Sequence, residues 1–301
     1  MKLLKKTLVG VAVAAALVTS AQAGVVAISN LNISQLGFTV ANAALSITSE
    51  SRTGNVSADY NGVTVSTSLT AGGIGTEVDL AHKCVGNCGP AVAALYNGTG
   101  GGLENATNHI STPGQANYSL GDMRISGTAL GGVIQGLTRA DAVATGPTNS
   151  GGANSTIKNG GSILGAFTAA STFTGNIFVT ADSFLQTWID PTNPATEHAT
   201  ADAGFGWNMT VKGLGVNLTF APGDLNQSSY TVDGTPNFLF DLVGTQTYFS
   251  DAATFTAGQV YTFSINQSSN AAITDIPEPE SLALVGLGLL GLAAARRRKA
   301  A

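Results

Sequence analysis

Charge is scarce in this chain: only 10% of its 301 residues are Asp, Glu, Lys or Arg. Seven of the 13 basic residues lie in the two termini, so residues 24–276 keep six basic against 16 acidic residues, a net charge of −10. The six cations stand singly along the sequence. Because nucleic-acid binding depends on clustered Lys and Arg, we expect no nucleic acid as a partner.

Histidine is rarer still. The chain contains three, His82, His109 and His198. The sequence contains neither the G-x-S-x-G motif of a serine hydrolase nor the H-E-x-x-H motif of a zinc protease. His198 lies in a segment rich in Pro, Thr and Ala, which is typical of a solvated loop. We therefore predict that the protein is not an enzyme and that it holds no cofactor and no catalytic metal.

Long apolar runs occur only at the two ends of the chain. At the first end, the basic residues Lys2, Lys5 and Lys6 precede an apolar stretch over residues 8–18. Ala21 and Ala23 then form an A-x-A cleavage site. This order is typical of a secretory signal peptide, so we predict a signal helix that is removed after residue 23. An uncleaved membrane anchor is the alternative.

The other end has three parts in a fixed order. An extended, proline-stiffened segment, Pro277-Glu278-Pro279, comes first, followed by 14 uncharged residues over 282–295. As a helix that run spans about 21 Å, against a hydrocarbon core of about 30 Å. Four cations close the chain: Arg296, Arg297, Arg298 and Lys299. Because such clusters stay cytoplasmic, we predict a transmembrane helix over 282–295 with the body on the outer side.

This three-part tail resembles the PEP-CTERM sorting signal of bacterial exosortase substrates, over residues 277–299. The resemblance implies an inner-membrane precursor, processing by an exosortase and delivery to the cell surface or extracellular matrix of an exopolysaccharide-producing bacterium. The segment around Cys84, DLAHKCVGNCGPAVAALYNG, is also similar to a group of uncharacterised exosortase-dependent surface proteins. That group has no assigned activity, so this second resemblance implies no mechanism.

Cys84 and Cys88 are the two cysteines of the chain. Export places them in an oxidising compartment, so we predict a local disulfide between them. Zinc binding with Glu77, Asp79 and His82 is the alternative, although one His and a C-x3-C spacing do not match the usual zinc motifs.

Residues 24–275 show the alternation of β-strands, with few helix signals. Val63, Val65 and Leu69 alternate with Thr and Ser, and residues 207–220 form two alternating runs around Lys212-Gly213-Leu214-Gly215. Polar outer faces favour antiparallel sheets with one solvated face. We therefore predict an all-β fold, an antiparallel β-sandwich of jelly-roll type with long Gly-, Asn- and Thr-rich loops, with a closed barrel as the alternative.

Residues 145–161 are rich in turn-forming residues and predict a long loop or linker. One domain with long loops is the first interpretation, and two lobes over 24–145 and 162–275 are the second. The carboxylates of the body are spread out. The densest group is Asp182, Asp190, Glu197 and Asp202, with Asp224 and Asn226 next. These loop carboxylates are expected to be solvated, with calcium binding as the alternative.

From these observations we expect a structural or adhesive role at the cell surface or in an exopolysaccharide matrix. A carbohydrate-binding module is the alternative, in which Trp188, Trp207 or a loop tyrosine stacks on sugar rings. Core positions are nevertheless expected for both tryptophans. An extracellular hydrolase is the third hypothesis, and it requires two carboxylates facing one groove, a geometry that the sequence does not supply.

Overall fold

A computed structural model of the chain describes residues 24–40, 45–88, 117–144, 154–190, 199–232, 234–242 and 244–274. Within these ranges the side chains of residues 79–82 and 154–161 are not described. The signal peptide, the PEP-CTERM-like tail, His109 and His198 lie outside the described residues. The described chain is almost entirely β-strand, with one 3₁₀ turn at Gly223–Leu225.

The first sheet, sheet A, has seven strands. Two short strands share one flank of a long strand, and four further strands follow on its other side. In spatial order they are β13 (Phe238–Asp241) and β14 (Gln246–Phe249), β9 (Ile177–Ile189), β1 (Val25–Phe38), β6 (Ile134–Ala144), β5 (Asn117–Gly127) and β4 (Val78–Gly86).

Sheet B also has seven strands, with two short strands sharing one flank. In spatial order they are β11 (Val216–Phe220) and β12 (Asn226–Val232), β10 (Thr200–Gly213), β16 (Val260–Thr274), β7 (Asn154–Ala169), β2 (Leu45–Tyr60) and β3 (Val63–Gly72). A two-stranded ribbon joins β8 (Phe173–Gly175) to β15 (Ala253–Phe255). Every pairing among the described strands is antiparallel, as predicted.

The two sheets pack face to face around an apolar interior. Trp207 and Met209 of β10 and Tyr261 of β16 are at most 1% exposed. Polar groups also cross the interior: Ser29 donates to the carbonyl of Gly204 at 2.7 Å, and the hydroxyls of Thr138 and Ser269 lie 2.9 Å apart. These bonds satisfy polar groups that would otherwise be buried without partners, and they fix the position of sheet A on sheet B.

The hairpin predicted over residues 207–220 is confirmed, since Gly213 pairs with Val216 and Met209 with Phe220. The loop predicted over 145–161 is wrong for residues 154–161. They form the first half of β7, which pairs with β16 on one side and β2 on the other. Two neighbours supply a complete hydrogen-bonding ladder, and this tertiary pairing overrides the weak strand propensity of Asn and Gly.

Each sheet contains strands from both 24–145 and 162–275, the two lobes of the second interpretation. Sheet A combines β1, β4, β5 and β6 with β9, β13 and β14, and sheet B combines β2 and β3 with β7, β10, β11, β12 and β16. The two sheets differ in their outer faces. Sheet B exposes a polar outer face, as predicted, whereas on sheet A the outward side chains of β1, β5 and β6 are largely buried.

Candidate functional site

The outer face of sheet A carries a buried ion pair. Arg139 and Asp141 are two residues apart on β6, so they share one face of the strand. This is the outer face, because the neighbouring Thr138 points inward to Ser269 of β16. The two side chains are 2% and 0% exposed. The Arg139 guanidinium donates to both Asp141 carboxylate oxygens at 2.7 to 3.1 Å. Burial lowers the pKa of Arg139, but the charge and hydrogen bonds of Asp141 outweigh this and raise it, with further help from Tyr118 and Asp122.

Strand register places polar residues on both sides of this pair. Asn30 of β1 and Asp122 of β5 lie opposite Arg139 on the two neighbouring strands. Each is at most 2% exposed. A buried pair of this kind adds little net stability, because desolvation of the two charges offsets their attraction. Removal of one partner is costly, since the other charge then stays buried without a partner. The arrangement is that of a structural element rather than of an open ligand site.

A second buried pair joins the two sheets at one end. Glu50 and Arg52 of β2 are fully buried, and Arg52 Nε donates to Glu50 Oε1 at 3.0 Å. Arg52 also donates to the carbonyl of Thr76 at 2.6 Å and to that of Gly127 at the end of β5. Glu50 Oε2 accepts from the backbone of Gly75 at 3.0 Å. The pair therefore ties the β3–β4 connection and β5 to sheet B.

The outer face of sheet B is open and consists mainly of hydroxyl and amide groups. We call it the hydroxyl face. It presents alternate residues of β2, β3, β16, β10, β11 and β12, most of them Ser, Thr or Asn. Members with described side chains include Ser51, Thr53, Asn55, Ser57, Thr64, Ser66, Ser68, Thr70, Asn208, Thr210, Thr219, Ser228, Thr262, Ser264, Asn266, Ser268 and Asn270.

Cross-strand hydrogen bonds order parts of the hydroxyl face. The hydroxyls of Thr210 and Ser264 lie 2.7 Å apart, and the amide of Asn266 donates to Asn208 at 3.1 Å. Such pairs align polar groups on neighbouring strands about 4.8 Å apart. Among its described side chains the charges are Asp59, Asp202 and Lys212. The result is a broad, regular and nearly uncharged polar surface.

Exposed apolar and aromatic side chains also stand on this face, among them Leu164, Tyr230 and Val260. Leu164 of β7 lies opposite Ser51 and Ser264, near the middle of the sheet, and is 56% exposed. Tyr230 of β12 lies opposite Asp202 and is 65% exposed. They add apolar contact area to a surface that otherwise offers donors and acceptors.

A separate open groove of about 390 Å³ lies beside the 3₁₀ turn. Its walls are residues 219–224 and 248–251, and it contains the carboxylates of Asp224 and Asp251. The Tyr248 hydroxyl donates to Asp224 Oδ2 at 3.4 Å. Burial and the neighbouring Asp224 raise the pKa of Tyr248. Phe249 stands at the rim and is 59% exposed. An aromatic rim with carboxylate acceptors suits the stacking and hydrogen bonding of a sugar ring.

A family model described as the PEP-CTERM protein-sorting motif matches residues 275–299. The chain therefore carries a PEP-CTERM sorting signal over these residues. The motif implies processing by an exosortase, and it supports a membrane-anchored precursor that is exported to the cell surface. No curated protein and no solved structure matches the chain. The sorting signal is therefore the feature shared with known proteins, and the body must be interpreted from its own geometry.

The residues predicted for sorting lie outside the described part of the chain. They are Ala21, Ala23, Pro277, Glu278, Pro279, Arg296, Arg297, Arg298 and Lys299. The predicted signal helix and the transmembrane helix over 282–295 also lie there. In the part that the structure describes, no helix is long and apolar enough to cross a membrane.

The predicted disulfide between Cys84 and Cys88 is present, with the two Cα atoms 6.1 Å apart. Of the residues considered as zinc ligands beside it, Glu77 binds Arg124 instead, at 2.7 Å. The side chains of Asp79 and His82 are not described. Among the described residues, no cluster of three His, Cys, Asp or Glu side chains forms that could hold a metal.

The remaining candidates are dispersed by the fold. Trp207 is 1% exposed in the interior and Trp188 is half-buried against the core, which matches the expected core positions. Asp182 and Asp202 point from the outer faces of different sheets, so they do not share a calcium site. Desolvation raises the pKa of both, and Asp241 adds to the shift at Asp182 while a hydrogen bond from Asn32 opposes it.

Proposed function

We propose that the processed protein is a structural or adhesive component of the cell surface and its exopolysaccharide matrix, and that the hydroxyl face contacts the polysaccharide. The observation that carries this proposal is the extent of that face, which spans the seven strands of sheet B and offers uncharged donors and acceptors at regular spacing. Neutral polysaccharides present hydroxyl groups of the same kind. The PEP-CTERM motif supports the location.

Weak contacts suffice for such a role when they are numerous. One hydrogen bond that replaces water contributes only about 0.5–1.5 kcal/mol. A polymer that contacts several parts of the face at once gains from effective concentration, so its overall affinity exceeds that of any single contact. The body's net charge of −10 disfavours anionic partners. A neutral polymer avoids this repulsion.

The sorting step is tested in the native host by replacing Pro277, Glu278 and Pro279 with alanine. We expect full-length precursor to accumulate in the inner membrane, measured by fractionation and immunoblotting. Glu280→Ala, which leaves the Pro-Glu-Pro sequence intact, serves as the control and should be processed normally. Unchanged surface delivery of the triple variant would contradict the role of this segment.

The binding surface is tested on the exported protein with the host's own exopolysaccharide. Asn55→Glu with Asn266→Glu places two charges on the hydroxyl face, where both native side chains are exposed. We expect co-sedimentation with the polysaccharide to weaken about tenfold, because desolvated charges in a neutral contact are unfavourable. Asn87→Glu with Gln246→Glu adds the same charge at exposed positions elsewhere and should bind normally. Equal losses in both variants would contradict the proposal.

A carbohydrate-binding module is the second candidate, and the groove beside Asp224 is the observation that favours it. Such a module would bind a short, defined glycan with one aromatic platform. Phe249→Ala should then abolish saturable binding of that glycan, while the hydroxyl-face variant retains it.

We also propose that the body has no hydrolytic activity. The groove contains two carboxylates, so it is the place to test this proposal. We expect exopolysaccharide chain length, measured by size-exclusion chromatography, to stay constant during incubation with the protein. Chain shortening that is lost in Asp224→Asn or Asp251→Asn would instead support the extracellular hydrolase.

A further inference from the structure

Strand β3 is an open edge of sheet B. Among the described strands it pairs only with β2. The hydroxyl-face residues of β3 with exposed side chains are Thr64, Ser66, Ser68 and Thr70, and no described strand pairs with the outer side of β3. A strand in this position presents a row of backbone N–H and C=O groups that another strand can pair with.

The turn before β3 determines which backbone groups point outward. Asn61 and Gly62, with φ of 50° and 78°, form a two-residue turn of type I′. In this turn the N–H of Val63 bonds back to Tyr60. Because the direction alternates along a strand and β2–β3 has no register shift, Thr64, Ser66, Ser68 and Thr70 direct their N–H and C=O groups away from β2.

The sequence of β3 is nearly palindromic in side-chain type. Residues 63–71 read V-T-V-S-T-S-L-T-A, with Thr67 at the centre. If two copies pair antiparallel about Thr67, each residue meets one of its own kind. The pairs are Val63 with Ala71, Thr64 with Thr70, Val65 with Leu69, Ser66 with Ser68, and Thr67 with itself. Cross-strand Thr–Thr and Ser–Ser pairs of this type stabilise antiparallel sheets.

The palindromic register also pairs residues whose backbone N–H and C=O groups point away from β2. The pairs Thr64 with Thr70 and Ser66 with Ser68 bring together the residues whose backbone groups point outward. Each such pair exchanges two hydrogen bonds. A twofold axis at Thr67 therefore pairs the outward backbone groups of residues 64–70 in both copies, and the contact is isologous.

Strand β4, which among the described strands pairs only with β5, is the edge of sheet A on this side and carries features that disfavour such pairing. Its register shifts between Leu80 and Lys83, and a disulfide closes its end at Cys84 and Cys88. Its sequence also contains Asp79, His82 and Lys83. Bulges and charges are the usual means by which proteins block edge-to-edge association. Strand β3 has no charge, no proline and no bulge.

We propose that β3 is a dimerisation edge, which pairs antiparallel with β3 of a second copy about Thr67 and joins two sheets B into one continuous sheet. A charge lies next to this edge at Asp59, whose carboxylate accepts from Thr64 at 2.6 Å. In the dimer the two Thr64 residues lie six positions apart along the strands, about 20 Å, so the two Asp59 side chains do not repel strongly. The proposal rests on β3 alone and stands apart from the polysaccharide proposal.

A single cysteine on the twofold axis tests the register. In the exported protein, Thr67→Cys places two thiols at a pair whose Cα atoms lie about 4.5 Å apart, which a disulfide can bridge. We expect most Thr67→Cys chains to run as a reducible dimer on a non-reducing gel. Thr64→Cys and Thr70→Cys are matched controls on the same strand; each alone should stay monomeric on the gel, whereas a mixture of the two should cross-link.

Charged substitutions on β3 test the proposed β3–β3 contact without cysteine chemistry. Ser66→Lys with Ser68→Lys places lysines directly opposite each other in the dimer, so we expect about tenfold weaker dimerisation in analytical ultracentrifugation. A 1:1 mixture with the Ser66→Glu, Ser68→Glu variant should restore the dimer. Circular dichroism of each variant checks that the exposed substitutions leave the fold intact.

Two outcomes would overturn the proposal. One is a wild-type exported protein that sediments as a monomer at every concentration tested. The other is cross-linking of Thr64→Cys or Thr70→Cys alone to the same extent as Thr67→Cys, which would show contact without this register. Loss of polysaccharide binding has no bearing on either result.

Discussion

The outer faces of the two sheets use opposite chemistry. On sheet A, the outward residues of the central strands include Ile28, Arg139 and Asp141, and all are at most 2% exposed. On sheet B, most outward residues are Ser, Thr or Asn in contact with solvent, and the apolar Leu164 between them is 56% exposed. We therefore expect substitutions on the outer face of sheet A to destabilise the fold, and substitutions on the outer face of sheet B to change its stability little.

This difference separates stability from recognition. Buried charges and apolar side chains on sheet A constrain the fold, because each loses free energy when its partner is removed. We expect exposed substitutions on the hydroxyl face to change stability little, and we relate its regular composition to the proposed contact with a hydrated polymer.

The largest difference between the faces is expected at the buried pair. Arg139→Met should lower the free energy of unfolding by about 3–5 kcal/mol, because Asp141 stays buried without its partner. Thr210→Ala, which removes one member of a hydroxyl pair on sheet B, should change it by about 0.5 kcal/mol or less. Urea denaturation of both variants measures the contrast.

A double variant sharpens the same comparison. Arg139→Met with Asp141→Leu removes both charges, so it should recover much of the loss caused by Arg139→Met alone. An additive loss in the double variant would show that the pair itself, rather than the unpaired charge, provides the stability.

The disulfide at the β4 edge is expected to have a smaller effect. Replacing Cys84 and Cys88 with serine should lower the free energy of unfolding by at most about 2 kcal/mol, because the loop that it closes is short. Denaturation of wild type with and without reductant is the matched control. A loss much above this value would indicate that the bridge also orders the chain beyond β4.

The smallest effect is expected at Asp182, on the outer face of sheet A. Desolvation raises its pKa in the folded state above the value in the unfolded chain. The folded state then binds the proton more tightly, so stability is present at low pH and falls as the pH rises between the unfolded and folded pKa values. Asp182→Asn removes this penalty.

We therefore expect Asp182→Asn to be more stable than wild type at neutral pH, with a difference that shrinks as the pH falls below the unfolded pKa. Thermal unfolding across that pH range measures it. Asp251→Asn, an exposed substitution, is the control. A constant difference at all pH values would show that charge at Asp182 is not the cause.

Local alternation predicted much of sheet B. The hairpin around Gly213 and the inward Tyr261 and Phe263 follow from period-two patterns that each strand carries alone. The first half of strand β7 was predicted as a loop, because it contains Asn159, Gly160 and Gly161. Its pairing partners lie far away in the sequence. Non-local pairing of this kind is not visible in a local pattern.

The buried faces of sheet A also leave signals in the sequence. Strand β1 begins with four consecutive apolar residues, V-V-A-I, which is the pattern of a strand buried on both sides. Glu50 and Arg52, like Arg139 and Asp141, are opposite charges two positions apart, and such residues share one face of a strand. The groove beside Asp224 left no comparable signal, because separate turns assemble it.

The central claim is that the hydroxyl face contacts the exopolysaccharide. Hydroxyl-radical footprinting of the exported protein, with and without the host polysaccharide, tests it directly, because Leu164 and Tyr230 report on this face and Phe249 reports on the groove. We predict that the polysaccharide protects Leu164 and Tyr230 and leaves Phe249 unchanged. Protection of Phe249 alone, or no protection at any of the three, would contradict the claim.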